Sequence, residues 1–381
     1  MKVLYITGFG IAGSNVSLLN TITELRGRGV TETVIVPDTE TCSFFKSNNV
    51  NCVIIPFKPS IWPVCIVWYH FLTSPIRFCA QRVLNIIALI RLFIFTKHFR
   101  PDLIHTNVSV IDVGYIISKF MKIPHLFHIR EYCELDYKYK RYPNRRTFLG
   151  KLDQSYSIAI TKDLFNYYNL KEDRSRVIYN GIIRKKEYMP IKKESYFLYV
   201  GGLYHEKGID YLIEAFLSLA HRYPNIKLLI CGSGNRFFVD NLISIINKED
   251  QALSSRIVFL GQRNDVYQLM TKAKALIVPS LSEGFGRITA EAMFNDCLVI
   301  GNNTAGTKEQ FDNGLKMSGG EIGLRYSNIQ ELKEAMEIVY NAREEEFRLI
   351  REKAFEVVNS LYTTEHNADE VLSFYNNILG M

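Results

Sequence analysis

The chain has 381 residues, of which 47% are hydrophobic and 22% are charged, and its formal net charge is +7. This composition excludes disorder along most of the chain, and the length suits two domains. The seven cysteines are scattered without a C-x-x-C pair, which predicts reduced thiols rather than a disulfide scaffold or a zinc cluster. The first residues lack a signal-peptide pattern, and no uninterrupted apolar run reaches the ~18 residues that span a bilayer. We therefore expect a cytoplasmic protein.

Short β-branched and apolar runs alternate with helical patterns along almost the whole chain. This alternation predicts an α/β fold of parallel sheets with helices on both faces. The predicted strands are Val3–Thr7, Thr33–Val36, Val53–Pro56, Leu103–Thr106, His125–Ile129, Ser157–Thr161, Tyr196–Val200, Lys227–Cys231, Ile257–Leu260, Ala275–Val278 and Leu298–Gly301.

The pattern restarts after Arg184–Glu194, a charged stretch with a proline that is typical of a linker. We therefore predict two doubly wound, Rossmann-like domains, residues 1–183 and 184–363. An amphipathic helix within 364–381 would cross back to the first domain. Ligands bind such sheets at the carboxyl ends of their strands, so two facing domains would form a cleft there.

The loop Gly8–Gly13 follows the first strand and matches G-x-G-x-x-G, and Asp38 follows the second strand. One interpretation is a nicotinamide site, with the loop near a phosphate and Asp38 on the ribose. The alternative is a tight turn that needs glycine only for its backbone conformation. The match is weak evidence alone, because the second half offers a better nucleotide site.

That better site is the segment 279–293, PSLSEGFGRITAEAM. A buried strand ends in a polar loop that holds Glu283, and a helix begins near Arg287. Amides at the start of a helix favour a phosphate, and Glu291, about one turn into the helix, can accept hydrogen bonds from a ribose diol. Glu283 and the loop amides can hold the hydroxyls of a sugar. The alternative is that both acids are a capping charge and a solvated helix face.

Six segments resemble, in chain order, the motifs of the family 4 retaining glycosyltransferases, which have the GT-B fold of two Rossmann-like domains. The resemblance implies a nucleotide-sugar donor, retention at the anomeric carbon, and no cofactor. The sequence has no D-x-D motif, so we also expect no metal. The segments are Ala12–Asn15 with the helix after it, Arg100–His105, Val177–Ile182, Val200–Gly208, Ser282–Met293 and Asn303–Glu309.

The resemblance assigns Glu283 to the donor sugar, Glu291 to the ribose and Lys207 to the pyrophosphate, where a cation stabilises the leaving group. Lys207 could otherwise be a solvated loop lysine. The family's usual second cation is missing, because Gly202 stands in its place. Arg287 is a candidate to supply that charge. The other residues expected to bind the donor are Gly13, Gly202, Arg263 beside the nucleobase, Gly284, Phe285 and Gly286.

His128 matches the histidine of the first domain that lies near the donor sugar in the family, and Arg130 and Glu131 follow it as candidate acceptor ligands. Together with Lys207 and Glu283, His128 forms the predicted catalytic set. The alternative for His128 is a packed residue at a strand end. His105 is expected to be such a packed residue.

The charge is unevenly distributed, because residues 1–190 carry 26 Lys+Arg against 14 Asp+Glu, and residues 191–381 carry 20 against 25. The balances are therefore +12 and −5. The region 61–100 is strongly apolar and studded with basic residues, and its segment Val83–Phe95 is interrupted only by Asn85 and Arg91. One interpretation is a surface that meets an anionic membrane and a lipid-linked acceptor. The other is a core helix with solvated charges. No pattern of a nucleic-acid-binding module is present.

The expected function is therefore a metal-independent, retaining glycosyltransferase. It would act on a nucleotide sugar and a glycan acceptor of the lipid-linked class, in bacterial surface-polysaccharide assembly. Peripheral attachment to the inner face of the plasma membrane is the finer expectation. Two alternatives stay open: an NAD(P)-dependent oxidoreductase that uses Gly8–Gly13, and a catalytically silent GT-B scaffold, suggested by Gly202.

Overall fold

A computed structural model of the chain describes residues 1–63, 68–249, 253 and 255–381. These residues form two compact units, one made of Met1–Gly181 with Thr364–Met381 and the other of Ile182–Thr363. The change of unit lies two residues before the boundary that we placed at 183/184. Cys65 lies outside the described residues, and the other six cysteines are free thiols.

The first unit is built on a parallel sheet of seven strands in the order β3-β2-β1-β4-β5-β6-β7. Its central strands are almost wholly buried and rich in Val, Ile and Leu, as expected where helices cover both faces of a sheet. The strands are β1 (Lys2–Ile6), β2 (Thr31–Val36), β3 (Cys52–Ile54), β4 (Leu103–Thr106), β5 (His125–Ile129), β6 (Tyr156–Ala159) and β7 (Ser175–Val177).

Helices connect these strands, and the last helix of the chain returns to this unit. Ala368, Val371, Phe374 and Tyr375 of that helix join the core beneath the sheet together with Tyr5. The helices are α1 (Gly13–Leu25), α2 (Thr39–Ser47), α3 (Trp68–Phe99), α4 (Val113–Met121), α5 (Glu134–Tyr137), α6 (Arg145–Leu152), α7 (Lys162–Tyr167) and, from the end of the chain, Thr364–Leu379.

The second unit repeats the plan with six parallel strands in the order β10-β9-β8-β11-β12-β13. The strands are β8 (Phe197–Val200), β9 (Leu228–Cys231), β10 (Ile257–Gly261), β11 (Ala275–Val278), β12 (Val299–Asn302) and β13 (Leu324–Tyr326). Its helices are α8 (Ile209–Ala220), α9 (Arg236–Glu249), α10 (Val266–Lys272), α11 (Arg287–Phe294), α12 (Ala305–Ser318), α13 (Ile329–Asn341) and α14 (Arg348–Leu361), so the final helix Thr364–Leu379 is α15.

The segment Arg184–Glu194, predicted to be a linker, belongs to the second unit and packs against it. The Lys193 ammonium, 4% exposed, lies 2.8 Å from the carboxylate of Asp296, which is itself 3% exposed. The Tyr188 hydroxyl donates to the same carboxylate at 2.7 Å. The sequence was misleading because a charge-rich segment without regular structure can still be fixed by buried ion pairs.

Helix α3 is apolar on two opposite faces. Asn85, Ala88, Leu92 and Thr96 are buried, while an opposite stripe of aliphatic side chains is exposed. In the part of the chain that is described, the span Leu72–Phe99 alone is long and apolar enough to cross a membrane by length and composition, and 11% of its most apolar window is buried. The search for an uninterrupted run did not detect this span, because arginines interrupt it. The prediction of a core helix over Val83–Phe95 therefore holds for only one face.

Candidate functional site

Most of the predicted site residues lie at the carboxyl ends of central strands in the two sheets. In each sheet the first three strands are added toward one edge, and the next strand pairs with the free side of the first one. The strand order therefore reverses between β1 and β4 in the first sheet and between β8 and β11 in the second. The loops that follow the strands diverge at such a switch point, which leaves room for a ligand. The donor candidates of the second unit follow β8, β10 and β11, and the candidates of the first unit lie at the ends of β1 and β5.

The loop between β11 and α11 is held by the start of α12. The Gly306 amide donates to the Glu283 carbonyl at 2.8 Å, and the Gln310 side-chain amide donates to the carbonyls of Phe285 and Gly286 at 2.5 and 3.0 Å. A Cβ atom at Gly306 would lie 2.6 Å from the Phe285 carbonyl, so only glycine permits this approach. These contacts fix the backbone of the loop and leave the Glu283 side chain at its surface.

Lys207 and Glu283, the predicted pyrophosphate and sugar ligands, contact each other through Nζ and Oε1. Lys207 lies on a single 3₁₀ turn, His205–Lys207, that ends at Gly208. Gly208 has φ +66°, and a Cβ atom there would lie 2.0 Å from the Pro279 carbonyl oxygen. The Leu281 amide also donates to the Glu206 carbonyl at 3.1 Å. The two loops are therefore packed backbone to backbone, which places an ammonium beside a carboxylate, both about a fifth exposed.

Glu291 projects from α11 and lies 3.1 Å from Nη2 of Arg287. Burial raises the pKa of the Glu291 carboxyl above its ordinary value, and the Arg287 guanidinium opposes that shift. Arg287 therefore offsets part of the effect of burial on a carboxyl group that can accept hydrogen bonds when it is ionised. Tyr267 on α10 faces the same pair, and burial together with the charge of Glu291 raises its pKa to about 12. Tyr267 was not predicted to belong to the site, because nothing in the sequence around it distinguishes it.

Gly202 and Arg263 lie in two other loops of this sheet edge. A Cβ atom at Gly202 would lie 2.2 Å from the Tyr204 ring, so the ring occupies the space that a larger residue would need. The Tyr199 hydroxyl donates to the Gly202 carbonyl at 2.7 Å. Arg263 makes a bidentate pair with Asp265, at 2.8 and 2.6 Å, just before α10 begins. Its guanidinium is thus already paired within its own loop.

In the first unit, His128 on β5 is part of a buried polar network. Its Nδ1 lies 3.2 Å from Nε2 of His105 and 3.2 Å from Nη2 of Arg130. Nδ1 of His105 lies 2.5 Å from the hydroxyl of Tyr375, on α15, and that hydroxyl lies 3.1 Å from the hydroxyl of Tyr5. The expected packed histidine, His105, is therefore packed and also holds His128. Arg130 additionally donates to Asn107 at 2.9 Å and to Asn180 at 2.5 Å.

Nε2 of His128 is buried and has no hydrogen-bond partner among the residues that the structure describes. Burial lowers the pKa of His128 well below its ordinary value, and the positive charge of Arg130 lowers it further. His128 is therefore neutral near pH 7. A neutral imidazole whose Nδ1 accepts from a guanidinium carries its proton on Nε2. The network thus presents one N–H donor without a partner, which can donate to a hydroxyl or to a phosphate oxygen.

The remaining candidates of the first unit have partners within it. The Glu131 carboxylate accepts from the Ser109 amide and hydroxyl, both at 2.7 Å, and it is buried. Gly13 is the first residue of α1, after a loop that Asn15 holds through the Gly10 carbonyl at 2.6 Å. Asp38 caps α2 by accepting from the Thr41 amide at 2.8 Å. The acid expected at a nicotinamide ribose therefore has a structural role here.

A diphosphate can be held by a metal ion or by basic side chains. Within the described ranges, no three His, Cys, Asp or Glu side chains are placed to hold a metal ion. Two cations of the second unit, Lys207 after β8 and Arg287 at the start of α11, are candidates to bind a diphosphate.

Comparison with known families gives a consistent result for both halves of the chain. The model described as "Glycosyltransferase Family 4" matches residues 11–185, and the model described as "Glycosyl transferases group 1" matches residues 183–354. Together the two models account for nearly the whole chain.

Individual relatives are more distant. The chain is 26% identical to N-acetyl-alpha-D-glucosaminyl L-malate synthase of Bacillus anthracis over 223 residues, which are 57% of this chain and 55% of that one. It is 29% identical to the O-antigen chain mannosyltransferase RfbU of Salmonella typhimurium over 160 residues, 42% of this chain and 44% of that one. The chain spans between 42% and 61% of the length of the first curated relatives that it matches.

Among solved structures, the chain is similar to HepE of Anabaena in complex with UDP, with a TM-score of 0.76, 19% identity, and coverage of 99% of this chain and 100% of that one. The same protein has been crystallised with UDP-glucose. At this identity the likeness establishes the fold alone.

Proposed function

Because this chain belongs to the family 4 type of glycosyltransferases and has their GT-B fold, we propose that it transfers a sugar from a UDP- or GDP-sugar to a glycan acceptor with retention. The alternative of an NAD(P)-dependent oxidoreductase loses part of its support, since Asp38, the acid expected at the ribose, is the cap of α2. The alternative of a silent scaffold predicts nucleotide binding without turnover.

The observation that carries this proposal is the pairing of Lys207 with Glu283 next to the pairing of Arg287 with Glu291. A nucleotide sugar offers a diphosphate, a ribose diol and sugar hydroxyls. In the proposed complex, Lys207 binds the diphosphate instead of Glu283, and the Glu283 carboxylate accepts hydrogen bonds from the sugar hydroxyls. Glu291, paired with Arg287, accepts from the ribose diol.

For the chemical step, we propose that the acceptor oxygen bonds to the anomeric carbon on the face from which the diphosphate departs. The acceptor proton passes to the leaving phosphate oxygen as the carbon–oxygen bond to the diphosphate breaks. Lys207 stabilises the charge that develops on the diphosphate. The Nε2 proton of His128 donates to a sugar hydroxyl and helps to orient the donor. No metal is required in this scheme, so turnover should be unchanged by EDTA, and a loss that Mg²⁺ restores would refute that part.

For the acceptor, we propose a lipid-linked glycan in the assembly of a bacterial surface polysaccharide, at the inner face of the plasma membrane. The name of the Salmonella relative, an O-antigen chain mannosyltransferase, supports this class. The basic balance of residues 1–190 also suits an anionic acceptor. The name of the Bacillus relative contains L-malate, so a small anionic acceptor is the competing class.

The decisive experiment is a thermal-melting screen of the whole protein with UDP, GDP, NAD⁺ and NADP⁺, followed by transfer assays with the sugars of the stabilising nucleotide. We expect stabilisation by UDP or GDP alone, and product formation that the Glu283→Ala variant loses. Stabilisation by a nicotinamide nucleotide would overturn the proposal. Binding of UDP or GDP without turnover of any donor would favour the silent scaffold.

A further inference from the structure

We propose that the exposed face of α3 is a membrane-binding surface that lies flat in the headgroup region of a bilayer containing anionic phospholipids. The biological purpose of this surface rests on the proposed function, since a lipid-linked acceptor is reached at a membrane. The physical evidence for the surface is independent of that function, because it comes from one helix of the first unit.

The surface, called the outer stripe below, is a line of aliphatic side chains. Successive members are separated by four, seven, four, three and four residues, which places them on one side of a helix. Each has between 43% and 73% of its surface exposed. A stripe of this length indicates a surface that binds a partner or a membrane. Isolated exposed apolar residues are common, but long contiguous lines of them are not. The outer stripe consists of Leu72, Ile76, Val83, Ile87, Ile90 and Ile94.

The opposite face of α3 fixes its orientation. Ala88 and Leu92 are buried in a core that includes Leu4 and Ile6 of β1. The Asn85 side chain accepts from the Lys58 amide at 2.7 Å and donates to the Lys58 carbonyl at 3.0 Å. A helix that crossed a bilayer would have to give up this packing. The helix therefore stays on its unit, and only the outer stripe is available to lipid.

Charge identifies anionic lipid as the cover. No Asp or Glu occurs between Glu40 and Asp102, so α3 has no acidic residue at all. Arg91 and Lys97 on the helix and Arg100 just after it are exposed. Long basic side chains beside an apolar stripe keep their charge at the headgroups while their stems lie along the acyl region. Arginine and lysine close to a surface rich in phosphatidylglycerol or similar lipids gain electrostatic attraction that salt weakens.

The test is co-sedimentation of the full chain with vesicles of phosphatidylcholine alone and of phosphatidylcholine mixed with phosphatidylglycerol, at low and high salt. We expect binding to the mixed vesicles at low salt and at least ~10-fold weaker binding to the neutral ones. A chain that does not sediment with the mixed vesicles at low salt would overturn the proposal. Neither result depends on enzymatic turnover. A failure of vesicle binding therefore leaves the proposed transferase activity unaffected, and a failure of the transfer assay leaves the membrane-binding surface unaffected.

Two triple variants distinguish membrane binding through the outer stripe from non-specific binding by exposed apolar side chains. The triple variant Ile87→Ser, Ile90→Ser, Ile94→Ser should bind the mixed vesicles at least ~10-fold more weakly than wild type. The matched control Phe237→Ser, Ile338→Ser, Leu349→Ser removes three exposed apolar side chains from the second unit and should bind like wild type. Circular dichroism checks that both fold. Equal binding by wild type and the α3 variant would refute the role of the outer stripe.

Charge reversal gives an independent measurement. Arg91→Glu with Lys97→Glu should weaken binding to the mixed vesicles roughly tenfold and remove its salt dependence. The control Lys248→Glu with Lys316→Glu reverses two exposed charges of the second unit and should have little effect. If instead wild type is a dimer in solution that the triple variant abolishes, and vesicles do not compete with dimerisation, then a second copy covers the stripe and the proposal is wrong.

Discussion

Nη2 of Arg130 lies 3.2 Å from Nδ1 of His128, two residues earlier in the chain. Because a guanidinium can only donate, this contact makes Nδ1 an acceptor and places the imidazole proton on Nε2. The second neighbour of Nδ1 is Nε2 of His105, at 3.2 Å, and Nδ1 of His105 lies 2.5 Å from the Tyr375 hydroxyl. Nε2 of His128 is the ring nitrogen of this pair that has no hydrogen-bond partner among the described residues.

This arrangement predicts different effects for two amide substitutions. The amide nitrogen of glutamine can take the place of Nε2, whereas that of asparagine lies nearer the place of Nδ1. We expect His128→Gln to retain more activity than His128→Asn, by about tenfold, the scale of one hydrogen bond to a ligand. Initial rates at saturating donor provide the measurement. A direct check is the imidazole ¹⁵N spectrum of the wild type, in which His128 should be the Nε2-protonated form. Equal rates for the two variants would contradict the assignment.

Buried histidines should make the protein sensitive to acid. Burial lowers the pKa values of His105 and His128 well below the ordinary value and that of His125 to about 3. Below about pH 6.5 the unfolded chain binds protons at these positions that the folded chain does not, so stability falls as the pH falls. The three together give a slope of up to about 4 kcal/mol per pH unit. Urea unfolding at several pH values measures it. His125→Gln should reduce the slope by about a third, whereas His221→Gln, at an exposed position, should not.

Removing the ammonium of Lys207 should cut turnover at least ~100-fold, the scale of a lost transition-state contact. Glu291→Ala is expected to reduce turnover by a similar factor through loss of the ribose contact. Lys333→Ala is the matched control, because this lysine lies on α13 of the same unit and its ion pair with Glu214 is long, at 3.7 Å. Wild-type rates in the Lys207 variant would remove it from the site. Donor binding measured alongside separates weak binding from slow chemistry.

The pair of Glu291 and Arg287 predicts a pH dependence of nucleotide binding. Since burial raises the pKa of the Glu291 carboxyl, protonation begins at a higher pH than for an exposed glutamate, and UDP binding should weaken as the pH falls. Arg287→Ala removes the charge that opposes the shift, so its weakening should begin at a still higher pH. Arg222→Ala, which breaks an exposed pair with Glu337, should leave the midpoint in place. Calorimetric titrations with UDP from about pH 8 to pH 5 would detect the change. Identical midpoints in all three proteins would be the contrary result.

Gly208 offers a test of how Lys207 is positioned. An alanine there would combine φ +66° with a Cβ atom 2.0 Å from the Pro279 carbonyl oxygen, so the two loops must separate. We expect Gly208→Ala to lose about 1–3 kcal/mol of unfolding free energy and to lower turnover. Gly319→Ala is closely matched, since Gly319 has the same φ of +66° and nothing within 4 Å of the added atom. Gly319→Ala should lower the unfolding free energy less than Gly208→Ala does, and it should leave turnover unchanged. Equal behaviour of the two variants would mean that the close approach to Pro279 does not matter.

The strands were predictable because most of them are buried apolar runs. All eleven predicted strands occur, with ends within two residues of the prediction. The strands that we did not predict, β7 (Ser175–Val177) and β13 (Leu324–Tyr326), are three residues long, lie at sheet edges and have an arginine at the centre. At an edge, neighbouring strands and register decide the structure more than the local pattern does. For α3 the residues are apolar all round, so the pattern predicted a helix but could not say which face is buried.

The site was predictable only where motif residues are close in the chain. Glu283 and Glu291 share one loop and helix, and their spacing was visible. The contact between Lys207 and Glu283 joins positions 76 apart, and that between His105 and Tyr375 joins positions 270 apart. Such contacts depend on the order of strands in the sheet. Asn180 lies in a motif that we had noted, but its bond to Arg130 could not be inferred.

Tyr375 belongs to α15, yet it completes a network whose other members precede residue 181. The first unit therefore cannot finish folding on the ribosome until the whole second unit has been synthesised, whereas residues 182–363 are all available before α15 is made. During synthesis the core face beneath β1 and β4 stays uncovered until α15 has been made. The half of the protein that starts first is thus the half that is completed last.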